Sequence, residues 1–150
     1  FAFRTKLKSD CACLYPMIRD VLKIADGVHF MRDATRGGVA TVLNEIASKC
    51  NTGVEIDEMA LPVNHEVSAV CELLGLDPLY VANEGKVIIV AEAAEAKAVV
   101  RAMKKTGTGR NAAIIGEITR EHPGQAFLKS RSSGKRILDV LMGDQLPRIC

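Results

Sequence analysis

The stretch from Val28 to Cys50 constrains the fold more than any other part of the chain. Val28 to Met31 is short and rich in β-formers, and Asp33-Ala34-Thr35-Arg36-Gly37-Gly38 follows as a polar, glycine-rich turn. Val39, Val42, Leu43, Ile46, Ala47 and Cys50 then recur at helical spacing. An apolar stripe of that kind has to be buried against another element. The unit therefore reads as a strand that turns directly into a core-covering helix, and it requires a sheet for that helix to cover.

The remaining segments supply that sheet. Ser9 and Asp10 are good cap residues for a first helix running to about Ala25, with Leu14, Met17, Ile18, Val21 and Leu22 on one face. Pro16 sets its start or bends it. Val54-Glu55-Ile56 alternates as a strand, and Pro62 opens a third helix carrying Val67, Val70, Cys71 and Leu74, closed by Gly75. Lys86 to Ala91 contains the buried-strand run Val87-Ile88-Ile89-Val90, and Glu92 to Lys105 forms a fourth, alanine-rich helix. Ala112 to Ile118 and Gln125 to Leu128 are further strands. Strands and helices mix without strict alternation, which predicts an α+β fold: a mixed β-sheet packed with helices.

At 150 residues the chain is about one domain long, with residues 9–140 as the domain. The basic stretch from Arg4 to Lys8 and the start at Phe1 suggest that residues 1–8 are a linker remnant from a longer protein. A net charge of +2 is too balanced to indicate nucleic acid or a membrane surface as the main partner, and six aromatic residues without Trp argue against a base-stacking platform. No apolar run reaches transmembrane length and no signal peptide is evident. Cysteines at 11, 13, 50, 71 and 150 are an odd number, which fits a reduced, cytoplasmic protein. Cys11-Ala12-Cys13 lacks a second ligand pair for a metal, so buried small side chains are the default expectation there.

Three segments carry chemistry. The turn at 33–38 opens a helix, whose backbone N–H groups and dipole would favour an anion, while Arg36 adds charge and Asp33 could hold Mg²⁺. Its alternative reading is a glycine helix start with a surface Asp–Arg pair. In Asn83-Glu84-Gly85-Lys86, Glu84 stands at the end of a buried strand, where general bases are often placed; the alternative is a turn with solvated charges. Histidines 29, 65 and 122 are dispersed and form no catalytic unit. Pro147-Arg148-Ile149-Cys150 ends a tail, 141–150, whose mobile terminal thiol could collect a group and carry it into a site, unless the cysteine is incidental.

Together these segments resemble the carboxy-terminal domain of the hydrogenase-maturation HypE family. The resemblance is carried by Ser9-Asp10, Met31 through Glu45, Leu61-Pro62-Val63, Cys71 through Pro78, Ala82 through Lys86, Ile115-Gly116-Glu117 and Gln145 through Cys150. The Pro-Arg-Ile-Cys ending separates that family from the related aminoimidazole ribonucleotide synthetase (PurM) and selenophosphate synthetase families. The resemblance implies a PurM C-terminal-domain-like fold. It implies that Cys150 receives a carbamoyl group from the carbamoyltransferase HypF, that ATP activates the amide oxygen, and that dehydration leaves a thiocyanate. The cyanide then passes to iron on a HypC–HypD scaffold for [NiFe]-hydrogenase. On this reading Glu84 is the base working away from bulk water, Asp33 holds Mg²⁺, and Thr35, Arg36, Gly37 and Gly38 line the phosphate region.

The same resemblance implies a homodimer for the full-length protein, with an amino-terminal half that supplies most of the ATP site. The chain alone is then expected to fold but to bind ATP weakly and to leave the dehydration incomplete. The competing expectation is a non-catalytic carrier or docking module that presents a C-terminal thiol to maturation partners.

Overall fold

In the computed structural model, residues 8–132 and 134–140 are described; the expected linker at 1–8, apart from Lys8, and the expected tail at 141–150 with Cys150 lie outside them. Among the described residues, four helices, α1 (Tyr15–Leu22), α2 (Gly38–Cys50), α3 (His65–Leu74) and α4 (Ala93–Lys104), accompany six strands. These are β1 (Val28–Ala34), β2 (Gly53–Asp57), β3 (Asn83–Ala91), β4 (Gly116–Thr119), β5 (Ala126–Lys129) and β6 (Lys135–Ile137). β1 and β3 form an antiparallel ribbon, and β4-β2-β5-β6 form a second, mixed sheet in which β2 runs parallel to β5. The α+β expectation holds, with the strands divided between two sheets.

The ribbon is covered on both faces, which is why β3 carries a continuous apolar run where a half-buried strand would alternate. Side chains of successive strand residues point to opposite faces. Ile88, Val90 and Phe30 accordingly pack with Val42, Leu43 and Ile46 of α2 and with Val54 and Ile56 of β2. Met31, Ile89 and Ala91 face the other way, onto Val21 and Ala25 at α1 and Val99 of α4. These ribbon side chains are partly buried, so each contributes less than the roughly 1.5–3 kcal/mol of full burial, and the two layers together hold the ribbon between them.

Several boundaries differ from the expectation. α1 stops at Leu22 rather than Ala25, and it starts with Leu14 at its cap and Pro16 in its first turn; Ser9 and Asp10 do not cap it. Proline's missing N–H and fixed φ suit that first turn, so no upstream side chain is needed. Leu22, expected on the buried face, is exposed. β1 continues through Asp33 and Ala34, because both find register partners on β3, Val87 and Asn83. α3 begins at His65, after a single 3-10 turn at Glu58–Ala60, and only Cys71 on it is buried; Leu74 is exposed. Of Ala112 to Ile118, only Gly116 onward is strand. Cys11 and Cys13 are exposed, not buried: they lie in the extended segment before α1, outside either core.

Candidate active site at the end of the ribbon

The register of the ribbon brings two of the sequence-predicted carboxylates to one end. Asp33 stands opposite Val87, but its neighbour Ala34 stands opposite Asn83, so Glu84, Gly85 and Lys86 bulge out of the ladder. Bulges of this sort re-aim side chains and disrupt pairing locally. β1 ends at the same place and runs straight into Thr35, Arg36 and Gly37. Asp33, the 35–37 turn and Glu84 thus share the ribbon's end. Glu84, Asp33 and Arg36 are all exposed, so the expectation that Glu84 sits away from bulk water is not met within this chain. The bulge lifts it off the covered faces of the ribbon.

The glycine pair has a structural cause. Gly37 and Gly38 both have φ of +64°, the left-handed region that favours glycine. A side chain at Gly38 would collide with the carbonyl oxygens of Leu79 and Val81, because the start of α2 lies directly on the 3-10 turn Pro78–Tyr80. One at Gly37 would strike the Thr41 side chain. Gly38 is buried, so its missing side chain serves close packing of the chain on itself. On the strand and helix flanking the turn, Arg32 pairs with Glu45, tying β1 to α2.

A second set of contacts holds the bulge. Asp10 Oδ2 accepts a hydrogen bond from the Glu84 N–H at 3.0 Å and lies 3.6 Å from Lys86 Nζ. Lys86 Nζ also donates to Asn83 Oδ1 at 2.6 Å, and Asn83 Nδ2 donates to the Val81 carbonyl at 2.5 Å. Gly85 has no room for a side chain, since the Asp10 carbonyl and the Ala12 N–H lie against it. Reading the sequence assigned Asp10 to a helix cap and missed this contact. The available signal was Pro16, which sets the helix start and leaves Asp10 without a capping task.

The residues present fit an anion with a divalent cation. α2 has no side-chain cap, so nothing from a side chain occupies its N-terminal amides, and Arg36 stands exposed beside them. Among the described residues no three His, Cys, Asp or Glu converge as a metal cage. Mg²⁺ needs no cage, because one or two carboxylates complete its shell together with phosphate oxygens and water. Asp33 suits that minimal role. No histidine takes part: His29 bonds Glu92 at 2.8 Å, His65 starts α3, and His122 lies on Phe127 with ring centroids 4.7 Å apart. Cys71, the one buried thiol among the described residues, is pushed up in pKa by burial and then by the Asp77 carboxylate. Along the ribbon runs an open, mainly apolar crevice of about 900 Å³, lined also by β2, α4 and the segment before β4, which reaches Asp10, Asn83, Gly85 and Lys86. Glu84 and Asp33 lie beside it, not in its walls.

Comparison with known proteins gives a consistent result. The profile of the family described as AIR synthase related protein, C-terminal domain, matches residues 2–129. The carbamoyl dehydratase HypE of Rhodobacter capsulatus is 46% identical over 149 residues, covering 99% of this chain and 44% of that protein. Among solved structures, a HypE–HypF complex superposes with a TM-score of 0.86 at 37% identity, over 92% of this chain and 45% of that one. Hydrogenase maturation protein HypE in complex with ATP superposes with a TM-score of 0.92 at 36% identity, over 100% of this chain and 46% of that one. The chain spans less than half the length of the curated relatives it matches.

Proposed function

This chain belongs to the AIR synthase related protein family, as its C-terminal domain, and on that premise we propose that it is the C-terminal domain of a HypE-type carbamoyl dehydratase. The reaction is dehydration of an S-carbamoyl cysteine to a thiocyanate at the expense of ATP. The observation that carries the proposal is the meeting of Asp33, the 35–37 turn and Glu84 at one end of a ribbon buried on both faces. It is supported by relatives named carbamoyl dehydratase that align over 99% of the chain.

A carbamoyl oxygen is a poor leaving group and the adjacent nitrogen carries two protons, so dehydration needs an activated oxygen and a base. ATP supplies the phosphoryl group that makes the oxygen a leaving group. Glu84 takes the amide protons, Asp33 would hold Mg²⁺ against the phosphates, and Thr35, Arg36, Gly37 and Gly38 would line the phosphoryl group as it passes from ATP to the carbamoyl oxygen. Cys150 is the acceptor thiol, on the 141–150 tail. The sum is S-carbamoyl cysteine plus ATP giving thiocyanate, ADP and phosphate. HypF is the carbamoyl donor and a HypC–HypD scaffold the cyanide acceptor, and the whole protein is a cytoplasmic homodimer. A structure of HypE with HypF and another of HypE with ATP support the first partner and the nucleotide. Among the described residues no helix is long and apolar enough to cross a membrane.

The test uses the full-length parent, incubated with a HypF-type carbamoyltransferase, carbamoyl phosphate and ATP, and read by intact mass. Wild type should gain a carbamoyl group at Cys150 and then lose one water. Glu84→Gln should gain the carbamoyl group but dehydrate about 10²–10⁴-fold more slowly. Full-rate dehydration by Glu84→Gln would leave the chain as a carrier of the thiol and refute the enzymatic reading. The 150-residue chain alone should dehydrate no faster than background.

A further inference from the structure

The geometry points to Asp10 as the residue that positions Glu84, an inference that rests on the reading of Glu84 as the base. Glu84 opens a three-residue bulge that has left the β1 ladder, so its backbone lacks the pairing that fixes the rest of β3. Catalytic groups have to be held within a fraction of an ångström, and a bulge at a ribbon's end does not provide this unaided. Asp10 does. Its Oδ2 accepts the N–H of Glu84 itself at 3.0 Å and reaches Lys86 Nζ at 3.6 Å, so one carboxylate ties down the first and last residues of the bulge.

The middle residue is fixed by shape. At Gly85 any side chain would run into the Asp10 carbonyl, so the segment carrying Asp10 lies flat on the bulge. That segment is itself turned by Ser9, whose Oγ accepts the Cys11 N–H at 3.2 Å. Asp10 caps no helix and lies outside both core clusters, so the bulge is its one structural partner among the described residues. Its side chain is also 37% exposed, and ion pairs in that setting add little to stability. Losing Asp10 should therefore leave the fold intact while letting Glu84 drift.

The experiment uses the full-length parent carrying Asp10→Ala, Asp10→Asn, Glu84→Gln, or Asp10→Ala with Glu84→Gln, and measures ATP-dependent thiocyanate formation alongside thermal unfolding. Asp10→Ala should lower kcat about 10- to 100-fold, the scale of a misplaced reacting group, with KM for ATP and Tm unchanged. Asp10→Asn, which keeps an oxygen to accept the Glu84 N–H, should recover most of the rate. The double variant should be no slower than Glu84→Gln alone, because Asp10 acts through Glu84. A full-rate Asp10→Ala beside an inactive Glu84→Gln overturns this inference alone. So does a double variant slower than Glu84→Gln, or a loss confined to Tm or KM. A fully active Glu84→Gln overturns the reading of Glu84 and this inference with it.

Discussion

Gly38→Ala is expected to remove about 2–4 kcal/mol of folding stability, and the structure divides that cost in two. The backbone at Gly38 has φ of +64°, a left-handed conformation that costs an L-residue about 1 kcal/mol. The larger part is steric. The new methyl would meet the carbonyl oxygens of Leu79 and Val81 and the carbonyl carbon of Tyr80. Backbone atoms cannot rotate away as the end of a side chain can, so α2 would have to lift from the Pro78–Tyr80 turn, and overpacking of this kind costs about 1–3 kcal/mol. Gly75 supplies the control. Its φ is +67°, yet nothing lies within 4 Å of where its Cβ would stand, so Gly75→Ala should cost only the conformational part, about 1 kcal/mol. Equilibrium urea unfolding of the chain, followed by circular dichroism, measures both. If Gly38→Ala fell within about 0.5 kcal/mol of Gly75→Ala, the packing argument would be wrong. The glycine would then be required by something other than the chain's own fold.

Under native conditions a thiol reagent should label Cys11, Cys13 and Cys50 quickly and Cys71 only as the fold opens, since burial and Asp77 hold that thiol protonated; peptide mapping that found Cys71 labelled as fast as Cys50 would contradict its placement. Tyr80 is pushed above the ordinary tyrosine range, chiefly by burial, and its hydroxyl donates to the Asp139 carbonyl at 2.9 Å. Because the folded state favours the neutral phenol, its contribution is complete below the unfolded value of about 10 and is lost as pH rises through the higher folded value. Urea midpoints should therefore fall on the alkaline side of pH 10, and less steeply in Tyr80→Phe; parallel curves for the two proteins would refute this. Ile56→Ala, at a side chain only 1% exposed, should cost about 2–5 kcal/mol, whereas Leu73→Ala, 66% exposed, should stay within about 0.5 kcal/mol; equal shifts in urea midpoint would break the burial assignment.

What could be read from the sequence follows from periodicity. α2 is legible because its burial repeats at 3.6 residues, the apolar part of β3 because it is an unbroken run of β-branched residues, and α4 because its composition favours helix throughout. Asn83-Glu84-Gly85-Lys86 reads as a turn because its residues are polar, and only the pairing of Asn83 with Ala34 shows that it interrupts a strand. Ala112 to Ile115 has the composition of a strand but, among the described residues, no ladder; the Asp57 N–H donates to the Ile115 carbonyl at 2.8 Å, and Ile115 packs on the core beside β2. β6 was missed since Lys135, Arg136 and Ile137 are all exposed and carry no alternation. Asp10 was misread for a related reason: its partner is 74 positions away, and local rules offered a cap.

The location of the candidate site follows from how the ribbon is held. Two strands alone are marginal in water, so β1 and β3 keep their geometry because helices and the second sheet clamp both faces. With its faces packed against neighbouring elements, the ribbon leaves its end exposed, and there the β1-to-α2 turn and the 84–86 bulge meet. That arrangement fixes position but not environment. Glu84 and Asp33 remain in contact with water, and a thiocarbamate beside an activated phosphate would be open to hydrolysis there. The proposed dehydration would demand a cover over the ribbon's end that the described residues do not provide. HypE-type relatives are more than twice the length of this chain, and such a cover would be sought in the part of a protein of that type that the chain does not span. On the proposed function, the rigid end of the ribbon would place Glu84 and Asp33, and the exclusion of water would have to come from a cover other than the described residues.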